Sequence, residues 1–403
     1  MNEIVLPDAV VDRGGGGGRI LLVVVDGLGG LPRPGTGRTE LETARTPTMD
    51  ALAARASLGM LEPVAPGITP GSGPGHLALF GYDPVRYSIG RGVLSALGVG
   101  FDLRHGDVAA RLNLATLDGE GRVVDRRAGR PSDEEGRRIV QKVREALEPL
   151  EEVEVFVEHV KEHRALLVLR GEGLGAELAD TDPQETGVPP DEVRAADEGS
   201  ERTGRLVRAF LGRVREILAD EPAANHLLAR GFARYDGYPS VEERFGLRAL
   251  AVAGYPMYRG VGRLVGMEVA APRDDVEAVG TVEERFDEFD LTFLHFKAPD
   301  ARGEDGDFDA RVEAIEAVDG RLDRLVGLDP EVLVVTGDHS TPAAYRAHSW
   351  HAVPVLLASP WARPTAEEFG ESACRGGDLG RIQGKHLISL ALAHAGRLEK
   401  FGA

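Results

Sequence analysis

The chain has 403 residues, 42% hydrophobic and 28% charged, a composition typical of a globular protein with a sizeable core. Its formal charge is -19, with 66 acidic and 47 basic residues, so nucleic acid and anionic membranes are not expected as main partners. The single cysteine, Cys374, excludes an intramolecular disulfide framework and is typical of a reducing compartment. With no secretory signal pattern and no run long enough to span a bilayer, a cytoplasmic protein is expected, and the sequence makes no prediction of oligomeric state.

The first regular element is an apolar strand that ends in an acidic residue. Residues 19–25, Arg-Ile-Leu-Leu-Val-Val-Val, predict a buried strand, and Asp26 follows it directly. Glycines at 27, 29 and 30 allow a sharp turn that exposes the carboxylate. Sites in open α/β sheets form at the carboxyl ends of strands, so Asp26 is a candidate ligand. The alternative is that Asp26 only forms the turn.

A segment rich in glycine and proline, residues 66–84, surrounds one serine, Ser72. An apolar, helix-like run begins just after it, which places the hydroxyl beside unpaired amides that favour phosphate. As a nucleophile, Ser72 would need activation by a base or by a metal ion. The other interpretation is a plain N-cap.

Between about residues 100 and 280 the pattern changes to short strands, charged helices and an acidic, proline-rich loop. Strands are predicted over 108–117, 153–157 and 165–169, and helices over 132–147 and 202–219. This pattern indicates a smaller α+β domain inserted into the first one. Its loop Asp125-Arg-Arg-Ala-Gly-Arg130 could grip an anion bidentately or be a solvated turn.

Two further strands end in candidate metal ligands. The apolar run after residue 288 leads to Asp300 and then Glu304, and a helix is predicted over 309–325. Residues 331–336 predict a buried strand that delivers Asp338 and His339, and His348 follows nine residues later. Together with Asp26, these acids and imidazoles suffice for two divalent ions about 4 Å apart, the arrangement that clamps a transferring phosphoryl group. Turn-forming aspartates with incidental surface histidines are the alternative.

As a set, these motifs resemble the archaeal-type, 2,3-bisphosphoglycerate-independent phosphoglycerate mutases of the alkaline phosphatase superfamily. The resemblance covers nearly the whole chain and rests on the following segments: Val24-Val-Asp-Gly, Gly71-Ser-x-x-Gly-His-Leu, Gly81-Tyr-Asp-Pro, Asp107-Val-Ala-Ala-Arg-x-Asn113, Asp125-Arg-Arg-Ala-Gly-Arg130, Lys297-x-x-Asp300, Thr336-Gly-Asp-His-Ser-Thr-Pro and Ala347-His-Ser.

The resemblance implies an α/β fold, with an alkaline-phosphatase-like, mostly parallel sheet flanked by helices. Residues 1–99 and 281–403 would form the metal-binding phosphotransferase domain, and 100–280 the inserted substrate-binding or lid domain. It also implies an isomerase of glycolysis and gluconeogenesis that interconverts 3-phosphoglycerate and 2-phosphoglycerate through a phosphoserine. Two divalent cations are implied, with manganese expected and magnesium, zinc or cobalt as alternatives.

By motif match, Ser72 would be the nucleophile. One cation would be surrounded by Asp26, Ser72, Asp338 and His339, and the other held by Asp300 and His348. The family pattern usually places histidine where this chain has Glu304, whose oxygen could also bind an ion and would favour manganese or magnesium over zinc. Gly73 is a second departure, since an acidic residue commonly follows the serine. The candidate anion-binding groups for a small phosphorylated carboxylic acid are Arg111, Arg127, Arg130 and Arg259.

Other functions stay open at this point. The same strand-end ligands would serve a metal-dependent phosphohydrolase or another phosphotransferase of the superfamily. Glu304 could also mark a non-catalytic metal-binding relative. A dinucleotide-binding oxidoreductase is disfavoured, because no G-x-G-x-x-G opens a helix after the first strand.

Overall fold

The computed structural model describes residues 6–87 and 89–402, apart from the side chain of Ala9. Two compact units divide the chain: the first unit is Met1–Ser88 with Pro239–Ala403, and the second is Ile89–Tyr238. Within the described ranges, the helices are too short or too polar to cross a membrane.

The strands in chain order are β1 (Ile20–Val25), β2 (Ala56–Glu62), β3 (Val108–Leu117), β4 (Val123–Asp125), β5 (Glu154–Lys161), β6 (Arg164–Arg170), β7 (His226–Arg234), β8 (Ala249–Val252), β9 (Glu268–Ala270), β10 (Leu291–Phe296), β11 (Val332–Thr336), β12 (Val353–Ala358) and β13 (Gly380–Gln383). The α-helices are α1 (Glu40–Thr43), α2 (Pro47–Ala53), α3 (Ser72–Leu79), α4 (Arg91–Gly98), α5 (Asp133–Ala146), α6 (Glu201–Ile217), α7 (Val241–Phe245), α8 (Pro256–Leu264), α9 (Asp275–Arg285), α10 (Ala298–Asp305), α11 (Phe308–Val326), α12 (Glu371–Arg375) and α13 (Leu387–His394).

The first unit is built on an eight-stranded sheet with the order β13-β2-β12-β11-β1-β10-β8-β9. Neighbours from β11 to β9 are parallel, whereas β12 runs antiparallel to β11 and β2. In the central strand β1, Val25 pairs with Phe296 of β10 and Val24 with Thr336 of β11. The carboxyl ends of these three strands therefore lie side by side. The predicted α/β class with a mostly parallel sheet is confirmed.

Helices cover both faces of this sheet. Side chains along a strand point alternately to opposite faces, so an apolar strand such as β1 needs a core on each side. Leu21, Val23 and Val25 join a core with α2, α9 and α11. On the other face, α8 packs against β8 and β9, and α13 packs against β11.

The second unit contains a five-stranded sheet of β3 to β7 whose pairings are all antiparallel. Amphipathic helices α5 and α6 cover it, for example through Ile139, Val143 and Phe210. The helix α5 begins after Ser132, whose hydroxyl accepts from the Glu135 amide as an N-cap. The predicted smaller α+β unit is thus confirmed, with its strands and helices close to the predicted positions.

The boundaries of the inserted unit differ from the predicted 100–280. It begins at Ile89 and ends at Tyr238. At its start, α4 packs against β3 and β7. Beyond its end, β8 and β9 extend the large sheet in parallel with β10, which places residues 239–280 in the first unit. The sequence of residues 239–280 is charged and helical, like that of the inserted unit. Its strand β8 pairs with β10, which lies later in the chain, so the local pattern does not indicate membership of the large sheet.

We expect His226, the first residue of β7, to make the stability of the second unit depend on pH. The residue is only 8% exposed, and burial followed by the charge of Arg215 lowers the pKa of its ring from 6.5 to about 4. Folding therefore favours the neutral ring. We expect this contribution to unfolding free energy to be complete above pH 6.5 and lost as pH falls towards 4, by up to about 3 kcal/mol.

Urea unfolding between pH 7 and 4 measures this effect. The variant His226→Phe should lose less stability than the parent over that interval. In the control variant His105→Phe, the replaced side chain is 71% exposed, and the pH dependence should stay unchanged. If the unfolding free energies of the parent and of His226→Phe depended equally on pH, the folded state would not exclude the protonated ring of His226.

Candidate active site at the carboxyl edge of the large sheet

The carboxyl ends of β1, β10 and β11 bring the predicted strand-end acids together. Asp26 follows β1, Asp338 lies two residues after β11, and Asp300 lies in the first turn of α10, after β10. All three side chains are fully buried. They are far apart in sequence, but β1 pairs in parallel with both other strands, so they meet at one edge.

Ser72 reaches the same edge as the first residue of α3, with Gly71 as the N-cap. Its hydroxyl lies 3.2 Å from Nε2 of His339. The helix can approach this closely because Gly75 has no side chain: a Cβ there would lie 2.3 Å from the carbonyl oxygen of Asp338. The N-cap interpretation of Ser72 is wrong, because the residue lies inside the helix and no side-chain capping bond forms.

Asp26, Asp338 and His339 form a first ligand set, whose donor atoms lie within 4.8 Å of one another. Nε2 of His339 is 3.3 Å from Oδ1 of Asp26 and 3.2 Å from Oδ2 of Asp338. Those two oxygens are buried without a hydrogen-bond partner among the described residues. Unpaired buried carboxylate oxygens are costly, whereas a divalent cation takes oxygen and imidazole ligands. The set therefore fits a divalent cation.

Nearby cationic and imidazole groups keep these carboxylates ionised. Burial alone would raise the pKa of Asp26, but His295 and the Lys297 ammonium help to hold it well below its ordinary value. Burial and the charge of Asp26 likewise raise the pKa of Asp338, yet neighbouring imidazoles, including His76, bring it below its ordinary value. Both groups are thus in the form that binds a cation.

A second ligand set, formed by Asp300, His339 and His348, shares one imidazole with the first. Nε2 of His348 is 3.7 Å from Oδ1 of Asp300, and the two histidine rings stack with centroids 3.6 Å apart. Nδ1 of His348 donates to the Pro70 carbonyl at 3.0 Å, so the neutral ring presents Nε2 as its acceptor. The structure thus brings together six of the predicted site residues: Asp26, Ser72, Asp300, Asp338, His339 and His348.

Three side chains that were not among the predicted site residues contact Asp26. The Tyr258 hydroxyl donates to Oδ2 of Asp26, and Nζ of Lys297 lies 3.0 Å from the same oxygen while also contacting Asp300. Nε2 of His295 is 3.2 Å from that oxygen, and its ring stacks on Tyr258 with centroids 3.7 Å apart. Lys297 belongs to a highlighted strand-end motif, so a signal existed for it. Tyr258 comes from α8, in the segment that sequence patterns assigned to the insert.

His76 holds α3 against the loop after β11 and was also missed. Its Nδ1 donates to the Ser72 carbonyl at 2.8 Å and lies 3.2 Å from Oδ2 of Asp338. Its spacing of four residues from Ser72, one helical turn, was the available signal.

Known proteins are similar in sequence to this chain over nearly its whole length. The model of the family described as 2,3-bisphosphoglycerate-independent phosphoglycerate mutase matches residues 53–224. Two curated proteins described as "Probable 2,3-bisphosphoglycerate-independent phosphoglycerate mutase" come from Thermus thermophilus and Thermotoga neapolitana. They are 52% and 48% identical over 390 residues, which cover 96% of this chain and 96% of each relative. The chain belongs to the 2,3-bisphosphoglycerate-independent phosphoglycerate mutase family.

Solved structures of similar chains agree with this family assignment. A protein from Pyrococcus horikoshii aligns with a TM-score of 0.82 at 30% identity, covering 96% of this chain and 100% of that one. The cofactor-independent phosphoglycerate mutase from Thermoplasma acidophilum aligns with a TM-score of 0.71 at 29% identity, covering 94% and 100%. The resemblance of the sequence to this mutase family is confirmed, and the chain is assigned to a family of isomerases.

Glu304, the main departure from the mutase pattern, lies at the rim of the second ligand set. Its Oε1 is 3.9 Å from Nε2 of His348, and its side chain is 56% exposed. The three converging donors of that set do not include it. Gly73, the other departure, is buried in the first turn of α3.

The predicted anion-binding arginines of the second unit gather near one histidine. Burial and the charges of Arg164, Arg111 and Arg127 lower the pKa of His163 to about 4. Arg130 shares a tight turn with Arg127, whose carbonyl accepts from the Arg130 amide at 2.8 Å. This concentration of positive charge favours an anion such as a carboxylate or phosphate.

Arg259, the fourth predicted arginine, belongs to the first unit and follows Tyr258 on α8. Burial and the like charge of Arg263, one helical turn away, lower its pKa. Two half-buried cations on one helical face are stabilised by an anion between them.

A buried ion pair supports the loop that follows Asp26. Nη1 of Arg311 in α11 lies 2.9 Å from Oε2 of Glu40, and both side chains are fully buried. The guanidinium also donates to the carbonyls of residues 27–29, and Glu40 accepts from the Ala343 amide at 2.8 Å. The pair therefore ties the loop after β1 to the loop after β11.

Removing one partner of this pair should be strongly destabilising. We expect Arg311→Met to lower the unfolding free energy by about 3–5 kcal/mol, because Glu40 is left buried without its cation. The double variant Arg311→Met/Glu40→Gln, which buries no charge, should recover part of that loss. Urea unfolding measures both. The control variant Arg33→Met breaks an exposed pair with Asp309 and should cost less than about 1 kcal/mol. A near-normal stability of Arg311→Met would contradict this role.

Proposed function

We propose that the protein interconverts 3-phosphoglycerate and 2-phosphoglycerate through a phosphoserine at Ser72, with two divalent cations bound, manganese being the expected ion. The observation that carries this proposal is the Ser72 hydroxyl, 3.2 Å from Nε2 of His339, an atom that also faces two buried carboxylate oxygens with no hydrogen bond among the described residues. A serine hydroxyl beside a cation site of this kind is suited to phosphoryl transfer.

The cations would be held by the two ligand sets. Asp26, Asp338 and His339, with Ser72, would hold one, and Asp300 and His348, with Glu304 turned inward, would hold the other. When bound, they would stabilise the serine alkoxide and offset the negative charge of the phosphoryl group.

The chain's own groups account for the rest of the reaction. Oγ of Ser72 forms a bond to phosphorus as the ester bond to the glycerate oxygen breaks, and the serine proton ends on that oxygen. The amides at the start of α3 face the charged group. Lys297 supplies a fixed ammonium between Asp26 and Asp300. The glycerate then reorients, its other hydroxyl takes the phosphoryl group, and the proton of that hydroxyl returns to Oγ of Ser72.

Recognition of the substrate carboxylate and phosphate is assigned to Arg111, Arg127, Arg130 and Arg259. The inserted unit would act as the substrate-binding and lid domain, because a phosphoserine open to water would hydrolyse. A product-resolved assay of 3-phosphoglycerate with manganese tests this function. Formation of 2-phosphoglycerate without free phosphate supports the mutase. Release of phosphate would indicate a phosphohydrolase, and bound cations without turnover would indicate a non-catalytic relative.

The variant Ser72→Ala should lose activity by roughly 10³-fold or more, because the phosphoenzyme can no longer form. Acid-quenched enzyme that has turned over 3-[³²P]phosphoglycerate should carry label on Ser72, and the variant should carry none. As a control, Ser95→Ala changes a helical serine whose hydroxyl donates to the Arg91 carbonyl, and it should keep full activity and labelling. A variant at position 72 with parental turnover would end the nucleophile assignment.

Glu304→His should change the metal preference of the second ligand set. Replacing a carboxylate by an imidazole favours zinc over manganese, so the ratio of manganese to zinc dissociation constants should rise by roughly tenfold or more. Titration of the metal-free protein with each ion measures the ratio. Asp305→His, which changes the next residue along α10, should leave it unchanged. The same ratio in parent and Glu304→His would show that residue 304 is not a ligand.

A further inference from the structure

Thr341 lies between the two ligand sets and has no role in the reaction described above. Its side chain is fully buried, and its hydroxyl donates to Oδ1 of Asp300 at 2.7 Å. The same hydroxyl oxygen is 2.9 Å from Nδ1 of His339. One hydroxyl therefore touches a member of each ligand set.

The backbone holds this hydroxyl in place. The Thr341 amide donates to the carbonyls of Gly27 and Gly29, both at 3.1 Å. A Cβ at Gly27 would lie 2.6 Å from Oγ1 of Thr341, and a Cβ at Gly303 would lie 2.2 Å from the Thr341 carbonyl oxygen. A glycine in the loop after β1 and a glycine in helix α10 thus make room for this one residue.

Counting protons fixes the direction of both hydrogen bonds. The hydroxyl of Thr341 has a single proton, and the Asp300 carboxylate, whose other oxygen contacts the Lys297 ammonium, takes it as an acceptor. Nδ1 of His339 must then be the donor to Oγ1 of Thr341. In a neutral ring this leaves the lone pair on Nε2, the atom 3.2 Å from the Ser72 hydroxyl and beside the unpaired oxygens of the first ligand set.

We infer that Thr341 is a positioning residue that fixes His339 in the tautomer with its proton on Nδ1, and so assigns Nε2 to the first ligand set. The inference rests on the proposed function, since it takes both sets as cation sites. His339 then serves the first set alone. Asp300 and His348 are left to the second set, with Oε1 of Glu304 3.9 Å from Nε2 of His348 as a further donor.

The tautomer can be measured directly in the metal-free protein. Two-bond ¹H–¹⁵N correlation spectra of [¹⁵N]histidine-labelled protein at pH 8 distinguish a protonated Nδ1 from a protonated Nε2, and the His339 signals are assigned by their loss in His339→Gln. We expect a protonated Nδ1 in the parent, a shift towards protonated Nε2 in Thr341→Val, and the parental state in Thr341→Ser. A protonated Nε2 or an imidazolium in the parent overturns the inference without any variant.

Cation binding provides the second readout. Electron paramagnetic resonance of free manganese should show roughly 10–100-fold weaker binding to Thr341→Val at the site that Asp338→Asn also weakens, with recovery in Thr341→Ser. Thr292→Val is the matched control: it removes a fully buried hydroxyl of β10 that has no partner among the described residues, and it should change neither readout. Binding by Thr341→Val within twofold of the parent would overturn the inference.

The two readouts separate this inference from the proposed function. A parent protein that binds no manganese and forms no 2-phosphoglycerate refutes the proposed function, while the tautomer spectrum still decides what Thr341 does. A working mutase with His339 protonated at Nε2 refutes only the role of Thr341.

Discussion

The site depends on keeping two carboxylates ionised within the protein interior. Asp26 and Asp338 are fully buried and lie on either side of one imidazole nitrogen, at 3.3 and 3.2 Å. Desolvation and mutual repulsion both oppose this arrangement. The fold offsets desolvation and repulsion with donors to the other carboxylate oxygen, chiefly Tyr258 and Lys297 on Oδ2 of Asp26. Among the described residues, one oxygen of each carboxylate accepts no hydrogen bond, and both lie beside Nε2 of His339.

The architecture explains how such a cluster is assembled from distant segments. Parallel pairing of β1 with β10 and β11 aligns three strand ends, and the sequence puts an acid just beyond each. The loop after β1 and the helices α3 and α10 must then pack against the loop after β11 more tightly than side chains allow, which accounts for Gly27, Gly75 and Gly303 at the contacts. Close approach of these loops sets the Ser72 hydroxyl and the Thr341 hydroxyl on opposite nitrogens of the His339 ring. The proposed nucleophile and the proposed orienting group therefore both contact one imidazole.

Much of the fold and of the candidate site could be predicted from the sequence, because the candidate ligands follow clearly apolar strands. A strand of six buried apolar residues that ends in Asp-Gly identifies both the sheet and its functional edge, and the same logic located Asp338. Residues that act from outside these ends were missed. Tyr258 comes from α8, which lies in the segment that sequence patterns assigned to the inserted unit, and Thr341 is one of several hydroxyls in its loop. The boundary at Tyr238 was missed because β8 pairs with a strand formed much later in the chain. Contacts of this kind depend on tertiary packing, which local periodicity does not encode.

We expect Ser72 to lie in the coordination sphere of one of two adjacent divalent cations. Anomalous diffraction from crystals grown with manganese, recorded on both sides of the manganese absorption edge, locates these ions. We expect two peaks about 4 Å apart, one between Asp26, Asp338 and His339 and within about 2.5 Å of Oγ of Ser72, the other beside Asp300 and His348. Manganese bound only elsewhere, or a single peak out of reach of the serine oxygen, would contradict it.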